Sequence, residues 1–337
     1  MIVTLITLLA TPLRLPTLYR ARRMSSVSSV YSSSLSFQRH DRVFRNHHRF
    51  FSNTNNNIDV SLQEETPLLS PVMLLPLPPP LTNGILAVNK PLNMSSTTVV
   101  RIFKRILTNS YKEEAITAGY PDNMDLRRYN GKLPKVRVGH GGTLDPLATG
   151  VLVVGINKGT KALHGQLKGS KVYSVTGRFG EETTTNDNEG EVLKRDDEGI
   201  WKESVDARFD SVISSFVGDI MQRPPIFSAL HKDGRRMYDL ARNNEVTEDD
   251  VEPRPVTIHE IEIISRPSAT DPEFVLRVTS GSGVYIRSLI RDIGRELGSC
   301  ANMIRLERIE QGGFAVDEAL EEEDWTVEKI LERLQTV

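Results

Sequence analysis

Residues able to do chemistry are densest in the run Gly139-His140-Gly141-Gly142-Thr143-Leu144-Asp145-Pro146-Leu147-Ala148-Thr149-Gly150. Its glycines let a backbone approach a ligand closely and adopt positive φ. Pro146 pushes Asp145 into an extended conformation, which fixes the direction of its carboxylate. A carboxylate held that way can act as a nucleophile, forming and releasing a covalent adduct without a metal. The competing use of Asp-Pro is a helix start, with Asp as N-cap and Pro in the first turn. A helix there would run at once into Gly150 and the apolar stretch Val151–Ile156, which favours the nucleophile.

Other chemistries lack their residues. Gly155 and Gly159 before Thr160-Lys161 have the wrong spacing for a phosphate-binding P-loop, and no GxGxxG follows a strand. Histidine pairs with zinc-ligand spacing are missing, so neither a cofactor nor a metal is expected. The single cysteine, Cys300, rules out a disulfide scaffold and suits a reducing compartment.

Arg287 is a second candidate. Ile286, Leu289, Ile290, Ile293 and Leu297 form the apolar stripe of a helix predicted over 284–297, and Arg287 has no acid three or four residues away. Its partner must come from elsewhere, either Asp145 or a phosphate; otherwise it is a solvated helix arginine.

Charge points to the phosphate-bearing class of partner. The net charge of -2 hides a basic leader, residues 1–57 at +7, and a basic segment, residues 97–180 at +9, against -16 over 181–337. Between Pro146 and Gly180 there is no acid, while Lys158, Lys161, Lys168, Lys171 and Arg178 are present. With Arg101, Lys104, Arg105 and the basic cluster in 127–137, they are expected to form a phosphate-facing patch around Asp145.

The elements that must position these residues are mixed. A short strand is predicted at Gly84–Val88, then a helix from Ser95 or Ser96 through about Leu107, with a polar insertion over 108–135. Strands follow at Val151–Ile156, Val172–Phe179, 256–264 and 273–280, and helices near 203–217, 235–243 and 284–297. No βαβ unit repeats, so the fold class is α+β. Residues 1–57 form a basic Ser/Arg-rich leader, 58–82 a Pro-rich linker, 83–315 the catalytic domain and 316–337 an acidic tail ending in a surface helix.

Five ordered blocks over about residues 84–315 carry a resemblance: GILAVNKPLNMSS, GHGGTLDPLATGVLVVGI, KVYSVTGRFG with TTTNDNEG, GDIMQRPPIFSAL, and GVYIRSLIRDIGREL. Together they resemble the TruB family of pseudouridine synthases, and within it the eukaryotic stand-alone tRNA pseudouridine-55 synthases. The resemblance implies a mixed β-sheet flanked by helices. It also implies conversion of uridine 55 in the TΨC arm of tRNA to pseudouridine after base flipping. Asp145 matches the family's essential aspartate; sugar and base are both open to its attack. Arg287 matches the arginine that pairs with it, which would keep the carboxylate charged. Tyr173 matches the tyrosine that stacks on the flipped base and helps move its proton. His140 matches a histidine that holds the RNA arm open. Tyr285 and Leu306 match positions near the base pocket, and Lys90 and Pro91 a lysine and proline that shape the pocket or touch RNA.

The chain departs from the family pattern at Asn93 and Ser95 (for Gly and Thr), at Thr184 (for an acid) and at His231 (for Lys). It ends soon after the last matched block, so the C-terminal PUA domain of bacterial relatives is not expected. Expected partners are tRNA through its TΨC arm and mRNA with a similar stem-loop, with no membrane, for a monomer. Two rival readings stay in play: a tRNA-folding RNA chaperone, and a guide-RNA-dependent synthase. The opening MIVTLITLLA is too short to span a membrane and lacks the preceding basic residues of a secretory signal. The Arg/Ser-rich stretch after it has the composition of a mitochondrial presequence, with a disordered basic tail as the alternative. Met24 offers an internal start, and with it dual targeting to mitochondrion and nucleus.

Overall fold

The computed structural model describes residues 82–117 and 135–337; the leader, Met24, most of the Pro-rich linker and residues 118–134 lie outside them. In chain order the elements are β1 (Gly84–Lys90), α1 (Ser96–Thr117), β2 (Val138–His140), β3 (Ala148–Ile156), α2 (Gly159–Lys168) and β4 (Lys171–Phe179). There follow the hairpin β5 (Glu181–Thr183) and β6 (Val192–Arg195), then α3 (Ile200–Ser215), β7 (Gly218–Gln222), and the short pair β8 (His231–Lys232) and β9 (Arg235–Arg236). The chain closes with α4 (Met237–Arg242), β10 (Arg254–Ser265), β11 (Glu273–Ser280), α5 (Ile286–Glu296), β12 (Ala301–Gln311), β13 (Phe314–Ala315) and α6 (Val327–Arg333).

Nine strands form one mixed sheet in the order β1-β3-β12-β4-β11-β10-β7, with β2 added to β3 and β13 to β12. Its two halves bury differently. In β3 eight of nine residues are buried, the pattern of a strand covered on both faces. Leu152 and Val154 pack with Leu86, Val88 and the α1 residues Val99 and Phe103, while Val151 and Val153 pack with Ile85 and Leu163 of α2. Beyond β12 the sheet is covered on one face. Tyr173, Val175 and Phe179 of β4 and Phe274, Leu276 and Val278 of β11 pack under α3 and α5, and the intervening residues of β4 are less buried. The junction is β12, antiparallel to β4 and parallel to β3 over Leu306↔Ala148, Glu307↔Thr149 and Arg308↔Gly150. That parallel stretch begins three residues after Asp145, so the proposed nucleophile sits where the halves meet.

The α+β expectation agrees with this mixed sheet and its helices. Three details are corrected. First, α1 does not stop near Leu107; Tyr111 and Ala115 continue its buried stripe at four-residue spacing to Thr117. Second, the tail after 315 ends in the expected surface helix, α6, but is anchored: Leu320, Trp325 and Ile330 are buried with α1, and Gln335 exchanges backbone hydrogen bonds with Ile85. Third, the central strand β12 was not anticipated. Nor were α2 and β7.

Candidate functional site

The turn carrying Asp145 is fastened on both sides by the segment leading into α1. Ser96, at the first position of α1, accepts from the Leu144 N–H (2.8 Å) and donates to the Leu144 carbonyl (3.0 Å) through one hydroxyl. On the other side the Pro146 carbonyl accepts from the Asn93 N–H (2.9 Å) and from Lys90 Nζ (3.2 Å). No helix follows Pro146. The Ala148 N–H closes a turn on the Asp145 carbonyl (3.0 Å) and β3 starts there, so the N-cap alternative is not realised. Gly150, at φ 97°, explains the glycine that ends the motif: a Cβ there would collide with the Arg308 backbone across the parallel pair.

Asp145 and Arg287, 142 residues apart, meet as a pair. Arg287 Nε donates to Asp145 Oδ2 at 2.8 Å. The other guanidinium nitrogens donate to the Thr185 carbonyl (2.8 Å) and the Phe227 carbonyl (3.0 Å), and Asp187 Oδ2 stands 3.8 Å away. Arg287 is buried (side chain 6% exposed), whereas Asp145 is 35% exposed. The guanidinium is thus fixed by three acceptors while the carboxylate keeps an open side. This is why Arg287 tolerates burial in the first turn of α5: its donors are satisfied by elements outside the helix.

Asp145, Tyr173, Arg287, Tyr285 and Leu306 all line one cleft of about 300 Å³. Leu306 and Arg308 are two apart on β12 and reach it together; Tyr173 comes from the neighbouring β4. Tyr285 immediately precedes α5, with its backbone tied to the Gln222 side chain at 2.8 and 3.2 Å. Burial pushes the Tyr285 phenol above its ordinary value, and the Asp145 charge adds to that.

Two expected contact residues do not line the cleft. His140 ends β2, half-buried, and burial followed by the Arg308 charge pushes its imidazole below the ordinary value. Lys90 corrects the substrate-contact expectation: it is fully buried, and its ammonium donates to the carbonyls of Met94 (2.6 Å), Pro91 (2.8 Å) and Pro146. It holds the Asp145 turn from behind and has no surface to offer RNA. The single basic patch is corrected too. Lys158, Lys161 and Lys168 are exposed around α2 and Arg101, Lys104 and Arg105 on α1. These helices cover opposite faces of β1 and β3, since successive strand residues point to opposite sides. Lys171 is buried, and Arg178 is paired with Glu273.

The departures from the family pattern fit locally. Asn93 adopts φ 63°, the left-handed region that asparagine enters most readily after glycine. Ser95 Oγ accepts from the Thr98 N–H (3.1 Å), as an N-cap should. Thr184 Oγ1 accepts from the Glu191 N–H, bracing the β5–β6 hairpin, and His231 is exposed on β8.

Residue-by-residue reading missed Asp187 and Arg308, and took Ser96 only as a helix start and Lys171 only as part of the basic patch. Arg308 is buried in the cleft wall, donating to the carbonyls of Val151 (2.7 Å) and Gly142 (3.2 Å). Its signal, a charged residue two after an apolar one on a strand, needed β12 to be recognised first.

Residues 129–286 match the N-terminal domain of TruB family pseudouridylate synthases. The chain is 41% identical over 256 residues to pseudouridylate synthase TRUB1 of Homo sapiens, covering 75% of this chain and 68% of that one. The Mus musculus protein of the same name is 40% identical over 257 residues, covering 75% and 70%. tRNA pseudouridine synthase B of Gluconacetobacter diazotrophicus is 37% identical over 238 residues, covering 71% and 67%. With more than two thirds of these relatives spanned at such identity, the chain belongs to the TruB family of pseudouridine synthases, enzymes that isomerise uridine within RNA.

Proposed function

We propose that this protein is a stand-alone tRNA pseudouridine synthase that isomerises uridine 55 of the TΨC arm, with Asp145 as nucleophile. The observation that carries the reading is the Asp145–Arg287 pair, a half-exposed carboxylate held by a buried guanidinium at 2.8 Å in a cleft lined by Tyr173 and Leu306. The relatives named as tRNA pseudouridine synthases supply the substrate class.

A uridine stacked in a folded arm must leave its stack to reach Asp145. In the cleft the Tyr173 ring offers a stacking face, Leu306 an apolar wall, and Arg287 keeps the carboxylate oriented. Asp145 forms a bond to the nucleotide as the N1–C1′ bond breaks. The uracil turns and rejoins C1′ through C5, and the bond to Asp145 breaks, which restores the free carboxylate. The C5 proton then leaves and N1 takes one from solvent, so the product is an isomer of the substrate. Tyr173 is the cleft group placed to help move that proton, and no cofactor is required. The exposed cations of α1 and α2 give RNA phosphates two separate faces, and His140 would touch the arm from the end of β2. Transcripts with a similar stem-loop are proposed as further substrates, and the basic leader as a mitochondrial address that a start at Met24 would shorten.

The test is an unmodified tRNA transcript incubated, without guide RNA, with wild type and with Asp145→Ala, followed by chemical mapping of pseudouridine. Pseudouridine at position 55 with wild type alone is expected. Tight binding by wild type without modification would replace the enzyme reading with the chaperone one, and modification only on adding a guide RNA would replace it with the guided one. Equal modification by both variants would remove Asp145 from its role.

A further inference from the structure

Arg287, Arg291 and Arg295 stand one turn apart along one face of α5. All three reach the segment 223–251, which supplies Ser228 and Ala229 to the cleft. Arg287 Nη2 donates to the Phe227 carbonyl at 3.0 Å, and Arg291 Nη2 to the Arg223 carbonyl at 3.2 Å. Glu248, in a single 3-10 turn, meets Arg291 Nη1 at 3.1 Å and accepts two bonds from Arg295, at 2.8 and 2.9 Å. The Glu248 carbonyl accepts from Arg223 at 2.9 Å, which closes the two ends of the segment on each other. Its apolar residues Met237, Leu240, Ala241, Val246 and Val251 form a cluster of their own, apart from the core under α5.

The other carboxylates on these arginines are Asp292, on α5 itself, and Glu182, on β5. Among the described residues Glu248 is therefore the segment's one carboxylate on α5. Arg291 is 2% exposed, so losing an acid from it is costly, and charge-assisted bonds of this kind are the strong ones. Arg287 touches Asp145 through Nε alone, and one of its two other anchors, the Phe227 carbonyl, belongs to the segment. We propose that Glu248, which lies outside the cleft lining, is a positioning residue for the reaction. It seats the segment on α5, which keeps the Phe227 carbonyl on Arg287, and through Arg287 it holds the Asp145 carboxylate in line. This proposal rests on the pseudouridine synthase reading and adds a residue to it.

The test is Glu248→Gln, which keeps the shape of the side chain and removes its charge, made in wild type and in Arg287→Lys. Each protein is read by single-turnover pseudouridine formation on unmodified tRNA at saturating enzyme, and by amide hydrogen exchange without RNA. In the wild-type background conversion should slow about 10-fold, with faster exchange over 224–250 and unchanged exchange in β3 and β12. In Arg287→Lys, where the fork that reads the Phe227 carbonyl is already gone, the further slowing should stay below about 2-fold. Should Glu248→Gln not fold, Arg295→Lys keeps a cation for Glu182 while losing the paired bonds to Glu248, and it must show the same two changes at smaller size. Equal slowing in both backgrounds, no slowing, exchange that rises throughout the protein, or failure of both variants to fold would assign Glu248 to stability alone and overturn the proposal. Those outcomes leave wild-type conversion, and with it the enzyme reading, standing. A wild type that forms no pseudouridine would bring down both.

Discussion

The two walls of the cleft handle positive charge in opposite ways. On the α5 side, Arg287 meets Asp145 at 2.8 Å with Asp187 beside it, and along the same helix Arg291 and Arg295 pair with Glu248 and Glu182. On the β3–β12 side, Lys171 and Arg308 of the lining and Lys90 behind it are buried, yet all three donate to backbone carbonyls and none pairs with a carboxylate among the described residues. The first wall orients the carboxylate proposed as nucleophile. The second uses cations to tie down backbone: Lys90 fastens the turn after Asp145, Lys171 gathers the carbonyls at the end of α2, and Arg308 braces Gly142 and Val151. Buried cations without an acid are costly to a fold. Their concentration here means the backbone around Asp145 is held rigid at some expense in stability.

Substitutions on each wall should fail differently. Among the cations of the two walls the largest effect is expected at Arg287→Lys, because one ammonium cannot replace a planar fork reaching Asp145, Thr185 and Phe227. Single-turnover pseudouridine formation should fall by about 10²–10³-fold with tRNA affinity unchanged. On the carbonyl wall, Gly150→Ala should instead destabilise the fold, by about 2–3 kcal/mol in urea unfolding, through a side chain forced into positive φ against β12. Ser96→Ala should cost about 1–2 kcal/mol in the same assay, since Leu144 loses partners for both its buried N–H and its carbonyl.

The smallest effect sharpens the comparison through pH. Burial, with the Arg308 charge adding, lowers Lys171 to about 8 from its ordinary 10.5. Between those values the unfolded chain holds more protons than the folded one, so the contribution of this site to stability rises with pH there. Below pH 8 the full cost of burying the charged form is present. In thermal unfolding, the midpoint difference between wild type and Lys171→Met should move in favour of wild type from pH 8 to pH 10. A difference independent of pH would mean that Lys171 is not held below its ordinary value.

The same contrast explains what the sequence made legible. Asp145 announced itself through the glycines around it and the proline after it, and Arg287 through the absence of an acid three or four residues away on its helix. Strands with clean alternation, such as β4, or continuous apolar runs, such as β3, were readable because their burial follows one period. The carbonyl wall was not. In β12, register shifts between Met303 and Arg305 and between Arg308 and Glu310 break the two-residue alternation, and Arg305, Glu307, Arg308 and Glu310 mask its buried positions. For Lys90 the sequence left shaping the pocket and touching RNA both open, because nothing local shows that its ammonium is surrounded by carbonyls from Pro91, Met94 and Pro146. The extension of α1 was present as Tyr111 and Ala115, hidden by the polar residues between them.

Asp145→Asn tests the central claim most directly, because it keeps the shape of the side chain and an oxygen for Arg287 while removing the nucleophilic charge. With stability and tRNA affinity confirmed equal to wild type, single-turnover conversion at position 55 should be undetectable, a loss of at least about 10⁴-fold. Conversion at a rate near that of wild type would contradict the assignment of Asp145 as the nucleophile.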